Sequence, residues 1–336
     1  MDNLVKALTE TFGPSGEEDE VRTLIKSLAK GKIDRVYEDA LGNLFLEREG
    51  PAPKIMVSAH MDEIGVIITH IDDHGFIRIA PVGGISAQAL PGKRFRFRNG
   101  TIGTVYHEKL KNINELDWTK IYLDIGQPDR KAAMQLVNIG DLACYDQSFR
   151  AMEGGRYISK AMDDRAGCAV MLETINRLPR ELPQAVCFLF SVQEEVGLRG
   201  AKTAAYRYEP DYGIAVDVTL VGDTPKAHTM EVSLGKGPAI KIKDRSVLCH
   251  PLVRKLMVET AAKNNVPYQL EVLERGGTDA GAIHISREGV PSGAISIPCR
   301  YVHSPSEVVD SADLENAVLL LEKLLTDNWP KQERSY

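Results

Sequence analysis

Imidazole and carboxylate side chains follow several short apolar runs of the sequence, at or just beyond the point where each run ends. The runs are KIMVSA, AVCFLFSVQ, YGIAV and GAISIPCRYV. The side chains in these positions are His60, Asp62, Glu194, Glu195, Asp217 and His303. Two further carboxylates, Asp163 and Asp164, open a predicted helix, where free backbone N–H groups favour negative charge. Together these residues are the candidates for chemistry.

A set of histidine, aspartate and glutamate side chains without cysteine is typical of hydrolytic sites that bind Zn²⁺, Co²⁺ or Mn²⁺. Each residue alone is more often a helix cap or a satisfied polar group than a metal ligand. Most of them, however, follow apolar runs, and the carboxyl ends of parallel strands meet at one edge of a sheet. Their common placement therefore makes metal binding the better interpretation. The sequence therefore predicts a divalent metal site.

The segments that must position these residues alternate between strand and helix patterns. The apolar runs at 54–60, 185–191, 212–217 and 292–297 predict buried strands, and helices are predicted near 162–178 and 251–263. Apolar residues at helical spacing also predict a helix from Val21 to Leu28 and a C-terminal helix capped by Ser311. Such alternation predicts an α/β fold with a mostly parallel sheet flanked by helices.

One stretch departs from this alternation. Between about Gly75 and Tyr145, short β-prone pieces alternate with glycine and proline, and long helical periodicity is absent. We therefore expect a small all-β insertion within the α/β domain.

Composition excludes several classes of function. The formal net charge of −6, from 47 acidic and 41 basic residues, argues against nucleic acid or an anionic membrane as the main partner. Five widely spaced cysteines without a CxxC pair indicate neither a disulfide framework nor a thiolate zinc site, so we expect a cytoplasmic protein. The sequence has no GxGxxG, P-loop or GxSxG motif, and it predicts neither a secretory leader nor a membrane span.

Taken in order, the motifs resemble those of the tetrahedral aminopeptidases, a family of dinuclear metallopeptidases. This family includes glutamyl and deblocking aminopeptidases, and some members carry an older endoglucanase label. The segments that carry the resemblance are SAHMDEIGV (58–66), KAMDDRAG (160–167), VQEEVGLRGA (192–201), AVDVTLVGDTP (215–225), RGGTDAGAIHISREGVPSG (275–293) and IPCRYVHSPSE (297–307).

The resemblance implies a zinc-peptidase-like catalytic domain, formed by residues 1–66 and 155–336. A barrel-like domain, residues 67–154, would be inserted into it and would serve dimerisation and assembly. Dimers would build a hollow dodecamer, and the substrates would be peptides, from which N-terminal residues are removed.

The resemblance also implies roles for individual residues. One metal ion, Zn²⁺ or Co²⁺ with Mn²⁺ as an alternative, would be held by His60 and Asp217. A second ion would be held by Glu195 and His303, and Asp163 would bridge both. Among the remaining candidates, Glu194 would be the general base, Asp62 would orient His60, and Thr278 and Asp279 would line the substrate pocket.

Two metal ions about 3.5–4 Å apart can supply a bridging hydroxide and polarise the scissile carbonyl. Glu194 would then take the proton from the attacking water and pass it to the leaving amine, which suits a carboxyl group whose pKa is raised by desolvation.

Three alternatives remain at this stage. The same metal chemistry would serve a deacylase of N-acylated amino acids. Paired carboxylates could act as a glycoside hydrolase, although the histidines would then have no task. A metal-stabilised assembly subunit without activity is the third alternative, but structural metal sites are usually closed and rich in cysteine.

Overall fold

The computed structural model describes residues 1–29 and 33–331. The described helices are α1 (Asp2–Glu10), α2 (Asp19–Leu28), α3 (Arg130–Ala133), α4 (Met162–Arg177), α5 (Arg199–Tyr208), α6 (Pro251–Lys263), α7 (Asp279–Ile283) and α8 (Ser311–Thr326). The strands are β1 (Arg35–Glu38), β2 (Leu44–Arg48), β3 (Lys54–His60), β4 (Gly65–Ile71), β5 (Ile77–Val82), β6 (Arg94–Phe97), β7 (Ile102–His107), β8 (Ile121–Asp124), β9 (Leu142–Tyr145), β10 (Arg150–Met152), β11 (Arg156–Ser159), β12 (Ala185–Ser191), β13 (Tyr212–Thr219), β14 (Ala239–Lys243), β15 (Gln269–Val272), β16 (Ser292–Arg300) and β17 (Glu307–Asp310).

Eleven strands form one large mixed sheet, with the main order β1-β2-β12-β3-β13-β16-β17-β11-β10. Strand β14 pairs with β16 and with β15 beside this path. The four central strands, β12, β3, β13 and β16, are mutually parallel, and the outer strands of the main path are antiparallel to their neighbours. The carboxyl ends of the four central strands therefore share one edge of the sheet.

The central strands are buried along nearly their whole length, as continuous apolar runs in a doubly covered sheet should be. Helices α1, α2, α4, α6 and α8 contribute to the larger apolar core, and α5 and α7 to a second one. The predicted α/β class with a mostly parallel sheet flanked by helices is confirmed. None of the described helices combines the length and the hydropathy that a bilayer crossing requires.

The inserted β-rich segment folds as a closed six-stranded barrel with the order β4-β5-β8-β7-β6-β9. Its interior is a separate apolar core that includes Ile79, Phe95, Val105 and Leu123. The predicted division of the chain at 66/67 and 154/155 stays a prediction: β4 already begins at Gly65, and β10 pairs in the large sheet. Residues 332–336 of the predicted catalytic segment lie outside the described residues.

The predicted strands at 54–60 and 185–191 and the helix at 251–263 have the observed bounds. The predicted N-cap of the last helix is wrong by one residue. Asp310 caps α8 through its carboxylate, which accepts a hydrogen bond from the Ala312 amide at 3.0 Å, and Ser311 is the first helical residue. Both residue types make good caps, so side-chain preference alone could not choose between them.

Candidate metal centre

The structure brings the five predicted metal ligands together at the carboxyl edge of the four central strands. His60 is the last residue of β3, and Asp217 lies near the end of β13. Glu195 and His303 follow β12 and β16, respectively. Asp163 lies in the first turn of α4, which packs beside β3 and β13. The carboxyl edge of a parallel sheet is where α/β proteins bind their ligands.

Asp163 lies between the two imidazoles. Its Oδ1 is 3.0 Å from His60 Nε2, and its Oδ2 is 3.3 Å from His303 Nε2. Asp217 approaches the first imidazole, with Oδ1 3.9 Å from Nε2, and Glu195 approaches the second, with Oε2 3.2 Å from Nε2. The residues therefore form two adjacent groups that share one carboxylate, each oxygen of which faces a different histidine.

The residues present fit a divalent cation. Glu195 Oε1 is buried and has no hydrogen-bond partner within the described part of the chain. Two sets of donor atoms lie close enough together to hold an ion, one from His60, Asp163 and Glu195 and the other from His60, Asp164 and Asp217. Nitrogen and oxygen donors without thiolates suit Zn²⁺, Co²⁺ or Mn²⁺.

The carboxyl groups of the centre are crowded and largely removed from water. Burial, together with neighbouring carboxylates, raises the pKa of Glu194 and of Asp217 well above the ordinary values and also raises the pKa of Glu195. Burial opposes ionisation of Asp163 too, but hydrogen bonds with both imidazoles outweigh it and lower the pKa of this carboxyl. A bound cation would relieve this concentration of negative charge.

Burial acts on the pKa of the two imidazoles in the opposite direction, but contacts with carboxylates outweigh it. Burial alone would lower the pKa of His60, but its contacts with Asp163 and Asp62 raise the pKa well above 6.5. Burial likewise opposes the charged form of His303, while Glu195 and Asp163 raise its pKa to about 12. Each ring nitrogen that faces the carboxylates thus lies where positive charge is stabilised.

Asp62 contacts the loop of Glu194 and Glu195 as well as His60. Its backbone oxygen is 3.0 Å from His60 Nδ1, whereas its carboxylate Oδ1 is 3.5 Å from that nitrogen. The carboxylate accepts hydrogen bonds from the amides of Glu194 and Glu195, at 2.9 and 3.2 Å, and from the Ser15 hydroxyl at 2.6 Å. One buried side chain therefore fixes the loop that carries both glutamates.

Sequence reasoning missed one supporting carboxylate, Glu307, and gave no role to another, Asp164. Glu307 is buried; its Oε1 accepts a hydrogen bond from the His303 amide at 2.7 Å, and its Oε2 accepts one from the Asp163 amide at 3.1 Å. Asp164 was noted only as a residue at a helix start, but its oxygens accept hydrogen bonds from the amides of His60 and Gly167. Glu307 is the last residue of the IPCRYVHSPSE segment that carries the family resemblance. That position could have drawn attention to Glu307, but it did not indicate what the residue does.

A cavity of about 460 Å³ opens onto the centre. Glu194 lines it with its carboxylate Oε2 4.0 Å from His60 Nε2. The cavity is also lined by Leu198, Leu220, Leu273, Arg275, Gly276 and Gly277. A carboxylic acid, the candidate metal ligands and space for a side chain thus lie in one cavity.

The two predicted substrate residues lie beside this cavity. Thr278 and Asp279 are both buried, and they directly follow Gly277, which lines the cavity. The Asp279 carboxylate accepts hydrogen bonds from the hydroxyls of Ser58 and Ser191, which belong to neighbouring central strands. Contact of these two residues with substrate stays a prediction.

The chain resembles known proteins over nearly its whole length. A family profile described as M42 glutamyl aminopeptidase matches residues 42–320. A protein of Acetivibrio thermocellus that is provisionally named an aminopeptidase is 53% identical over 322 residues, which cover 96% of this chain and 97% of the relative. The lysyl aminopeptidase of Pyrococcus furiosus is 34% identical over 340 residues and 97% of each chain.

Solved structures show the same architecture. A structure of the TET1 peptidase of Pyrococcus horikoshii, described as able to assemble into a tetrahedron or a large octahedral shell, superposes with a TM-score of 0.87. It is 34% identical and covers 97% of this chain and 99% of its own.

Proposed function

The chain belongs to the M42 glutamyl aminopeptidase family and is a metal-dependent aminopeptidase, and we propose that the residues around Asp163 hold its two metal ions. The observation that carries this proposal is the position of Asp163, whose two oxygens face different imidazoles. The proposed ligands are His60, Asp163, Glu195, Asp217 and His303. When bound, the two ions would polarise the scissile carbonyl and lower the pKa of the attacking water.

The donor set supports Zn²⁺ or Co²⁺, with Mn²⁺ as an alternative. Imidazole nitrogen and carboxylate oxygen accept all three ions, and availability decides between them more than ligand type does.

Glu194 is proposed as the general base. It lies in the cavity beside the ligands, and burial raises the pKa of its carboxyl. A carboxyl group with a raised pKa can take a proton from water and return it to the leaving amine near neutral pH. Asp62 holds the Glu194 amide at 2.9 Å, so it would fix the base relative to the ligands.

The substrate's first side chain is proposed to occupy the part of the cavity lined by Leu273 and Arg275. Arg275 is the only lysine or arginine that lines this cavity among the described residues. A guanidinium group binds carboxylates through charge-assisted hydrogen bonds, so we propose a preference for acidic N-terminal residues. Thr278 and Asp279 would contact or shape the same pocket.

The barrel is proposed to mediate dimerisation, with dimers building a dodecamer. The tetrahedral assembly described for the TET1 peptidase of Pyrococcus horikoshii supports the assembly of this chain into a larger particle, and the role of the barrel rests on the resemblance alone. The five cysteines are all buried and unpaired, which suits a reducing compartment. On this basis a cytoplasmic location is proposed.

The proposal is tested by removing metal with a chelator, restoring Zn²⁺, Co²⁺ or Mn²⁺ separately, and measuring cleavage of aminoacyl-anilides and peptides with free or acetylated N-termini. We expect metal-dependent cleavage of the free substrates alone, fastest for glutamyl and aspartyl compounds. Cleavage of the acetylated set alone would identify a deacylase. Activity that persists after chelation, with metal loss verified by elemental analysis, would contradict the metal site.

A further inference from the structure

The loop that follows β5 in the barrel reaches the metal centre. The backbone oxygen of Gly84 lies 3.0 Å from His303 Nδ1. A carbonyl oxygen can only accept a hydrogen bond, so this ring nitrogen must carry the proton. In the neutral ring, the lone pair is then on Nε2, the nitrogen that faces Asp163 and Glu195 at 3.3 and 3.2 Å.

The loop also packs closely against the proposed ligands of one metal ion. A Cβ atom placed on Gly84 would lie 2.6 Å from His303 Nδ1 and 2.8 Å from its Cε1. A Cβ atom on Gly83 would lie 3.3 Å from the Cβ of Glu195. The backbone of the barrel loop therefore contacts His303 at Gly84 and lies beside Glu195 at Gly83, and at Gly84 it leaves no space for a side chain.

The other imidazole is held differently. His60 Nδ1 lies 3.0 Å from the backbone oxygen of Asp62, which is only two residues further along the chain. Asp62 is fixed in turn by Ser15 and by the amides of the Glu194 loop, all within the α/β domain. The two imidazoles thus take their backbone hydrogen-bond partners from different domains, His60 from the α/β domain and His303 from the barrel.

From this asymmetry we propose that the barrel completes the metal position at His303 and Glu195, with Gly84 as a positioning residue. This inference rests on the ligand set proposed above. It gives the barrel a direct role in the metal centre. Displacement of its loop would weaken the binding of the ion at His303 and Glu195 and leave the ion at His60 and Asp217 bound.

The first test is the substitution Gly84→Ala, followed by Zn²⁺ titration of the metal-free protein and elemental analysis of the bound metal. Wild type should bind two ions per chain. The variant should retain one and bind the second about 10- to 100-fold more weakly, as is usual when the hydrogen-bond partner of a metal ligand is disturbed. Gly84 has no positive φ, so alanine tests the close contact rather than backbone strain.

Gly103→Ala is the matched control. Gly103 lies in β7 of the same barrel, where a Cβ would lie 2.5 Å from Leu123 Cδ2. That substitution should disturb the barrel interior and leave two ions bound. If Gly84→Ala also retains two ions at wild-type affinity, or if both variants lose metal equally, the inference is overturned.

Double variants assign the weakened position. Gly84→Ala should lower the metal content of Asp217→Asn further, because that variant depends on the position at His303. Gly84→Ala should not lower the metal content of His303→Ala further, because that variant has already lost the metal position at His303. The opposite pattern would contradict the inference, whereas a wild-type protein that binds no metal would contradict the proposed ligand set instead.

The unmodified protein provides a second, independent test. If the barrel loop favours metal binding, then metal must stabilise the docked loop by the same free energy. Hydrogen exchange in the segment 83–86 should therefore be slower in the zinc-loaded protein than in the metal-free protein. Equal exchange in that segment, with slower exchange at 300–307, would overturn the inference even if Gly84→Ala did not fold.

Discussion

At the scale of single residues, the centre separates two adjacent glutamates into different tasks. Glu195 faces His303 at 3.2 Å, whereas Glu194 lies in the cavity 4.0 Å from His60. Both amides are held by Asp62, so the loop presents its two carboxyl groups in a fixed relation. Neighbours in sequence can thus serve as base and ligand.

Glu194→Gln should keep the metal content of wild type and lower kcat by about 10²- to 10⁴-fold, the usual contribution of a general base. The amide has nearly the same shape but cannot take a proton. Asp163→Asn is the matched comparison, because it should lose metal as well as activity. Elemental analysis and anilide kinetics check both variants; full activity of Glu194→Gln would exclude it as the base.

Arg275→Ala should lower kcat/KM for glutamyl-anilide by about 10- to 100-fold, since a hydrogen bond to a charged group contributes about 1.5–3 kcal/mol. The rate for leucyl-anilide should change little. Arg287→Ala is the control, because Arg287 pairs with Glu209 and stacks on Tyr206 away from the cavity. Equal losses on both substrates would argue against a role for Arg275 in selectivity.

A third residue, Glu18, gives a pH prediction. It is buried, and its Oε1 accepts hydrogen bonds from the amides of Gly16 and Gln193, at 2.7 and 3.1 Å. Burial, reinforced by Asp62, raises the pKa of this carboxyl to about 7. A raised folded-state pKa gives stability that is present below the unfolded value of 4.5 and is lost as pH rises through 7.

Glu18→Gln keeps an oxygen for both amides and removes the charge. The variant should therefore gain stability relative to wild type between pH 5 and pH 8, by on the order of 1–3 kcal/mol. Urea unfolding at both pH values measures this difference. A constant difference between the two proteins across that range would show that Glu18 does not titrate there.

Residue types, positions after apolar runs and the start of a predicted helix selected the candidates for chemistry, and the resemblance to the tetrahedral aminopeptidases assigned the ligands among them. Supports made by the backbone were not predictable, because a carbonyl such as that of Gly84 has no signature in the side-chain sequence. Glu307 was missed for a related reason: its contacts are with the amides of His303 and Asp163, which only the folded chain brings together.

At the scale of elements, strand and helix bounds followed closely from sequence where a segment was continuously apolar. Strands β3 and β12 are such segments, and their observed bounds equal the predicted ones. The start of α4 is less regular, with non-helical φ and ψ at Asp163 and Asp164. Helical periodicity says nothing about such a first turn, whose shape depends on contacts with β3 and with Glu307 at the start of β17.

Arg165 connects α4 to the N-terminal segment and should be essential for stability. It is fully buried, and its guanidinium group donates hydrogen bonds to the backbone oxygens of Leu8, Thr11, Gly13 and Met61. Arg165→Met should lower the free energy of unfolding by about 3–5 kcal/mol, because several buried acceptors lose their donor.

Arg177→Met is the comparison for this prediction. Arg177 lies in the last turn of the same helix and pairs at the surface with Glu173 and Glu315. Its loss should cost less than about 1 kcal/mol. Urea or thermal unfolding of both variants decides the matter, and similar costs for the two would contradict a special role for Arg165.

At the scale of the whole molecule, the sequence predicted a β-rich insertion in an α/β domain, and both parts are present. Closure of the barrel was not deducible from short β-prone pieces, because strand order depends on pairing between distant segments. The first and last strands of the barrel, β4 and β9, pair with each other across about seventy residues of chain.

Metal removal should lower the thermal stability of the whole molecule. Without a cation, the buried carboxyl groups of Glu194, Glu195 and Asp217 remain crowded, and ionisation of each is opposed by burial. A ligand present at a hundred times its Kd stabilises the folded state by about 2.7 kcal/mol. Chelation should therefore lower Tm by several degrees, and restored Zn²⁺ should reverse the change; an unchanged Tm after verified metal loss would contradict this.

The contact through Gly84 also sets a condition for grafting a foreign barrel onto this catalytic scaffold. Because a main-chain oxygen makes the contact, a donor barrel can differ at most loop side chains and still supply it. The donor loop must nevertheless place one peptide oxygen at His303 and carry no Cβ there. A chimera with well-formed strands and a displaced loop would be a sound scaffold with one defective ion site. Interchange of barrels between relatives is thus limited by the path of the backbone at a single peptide.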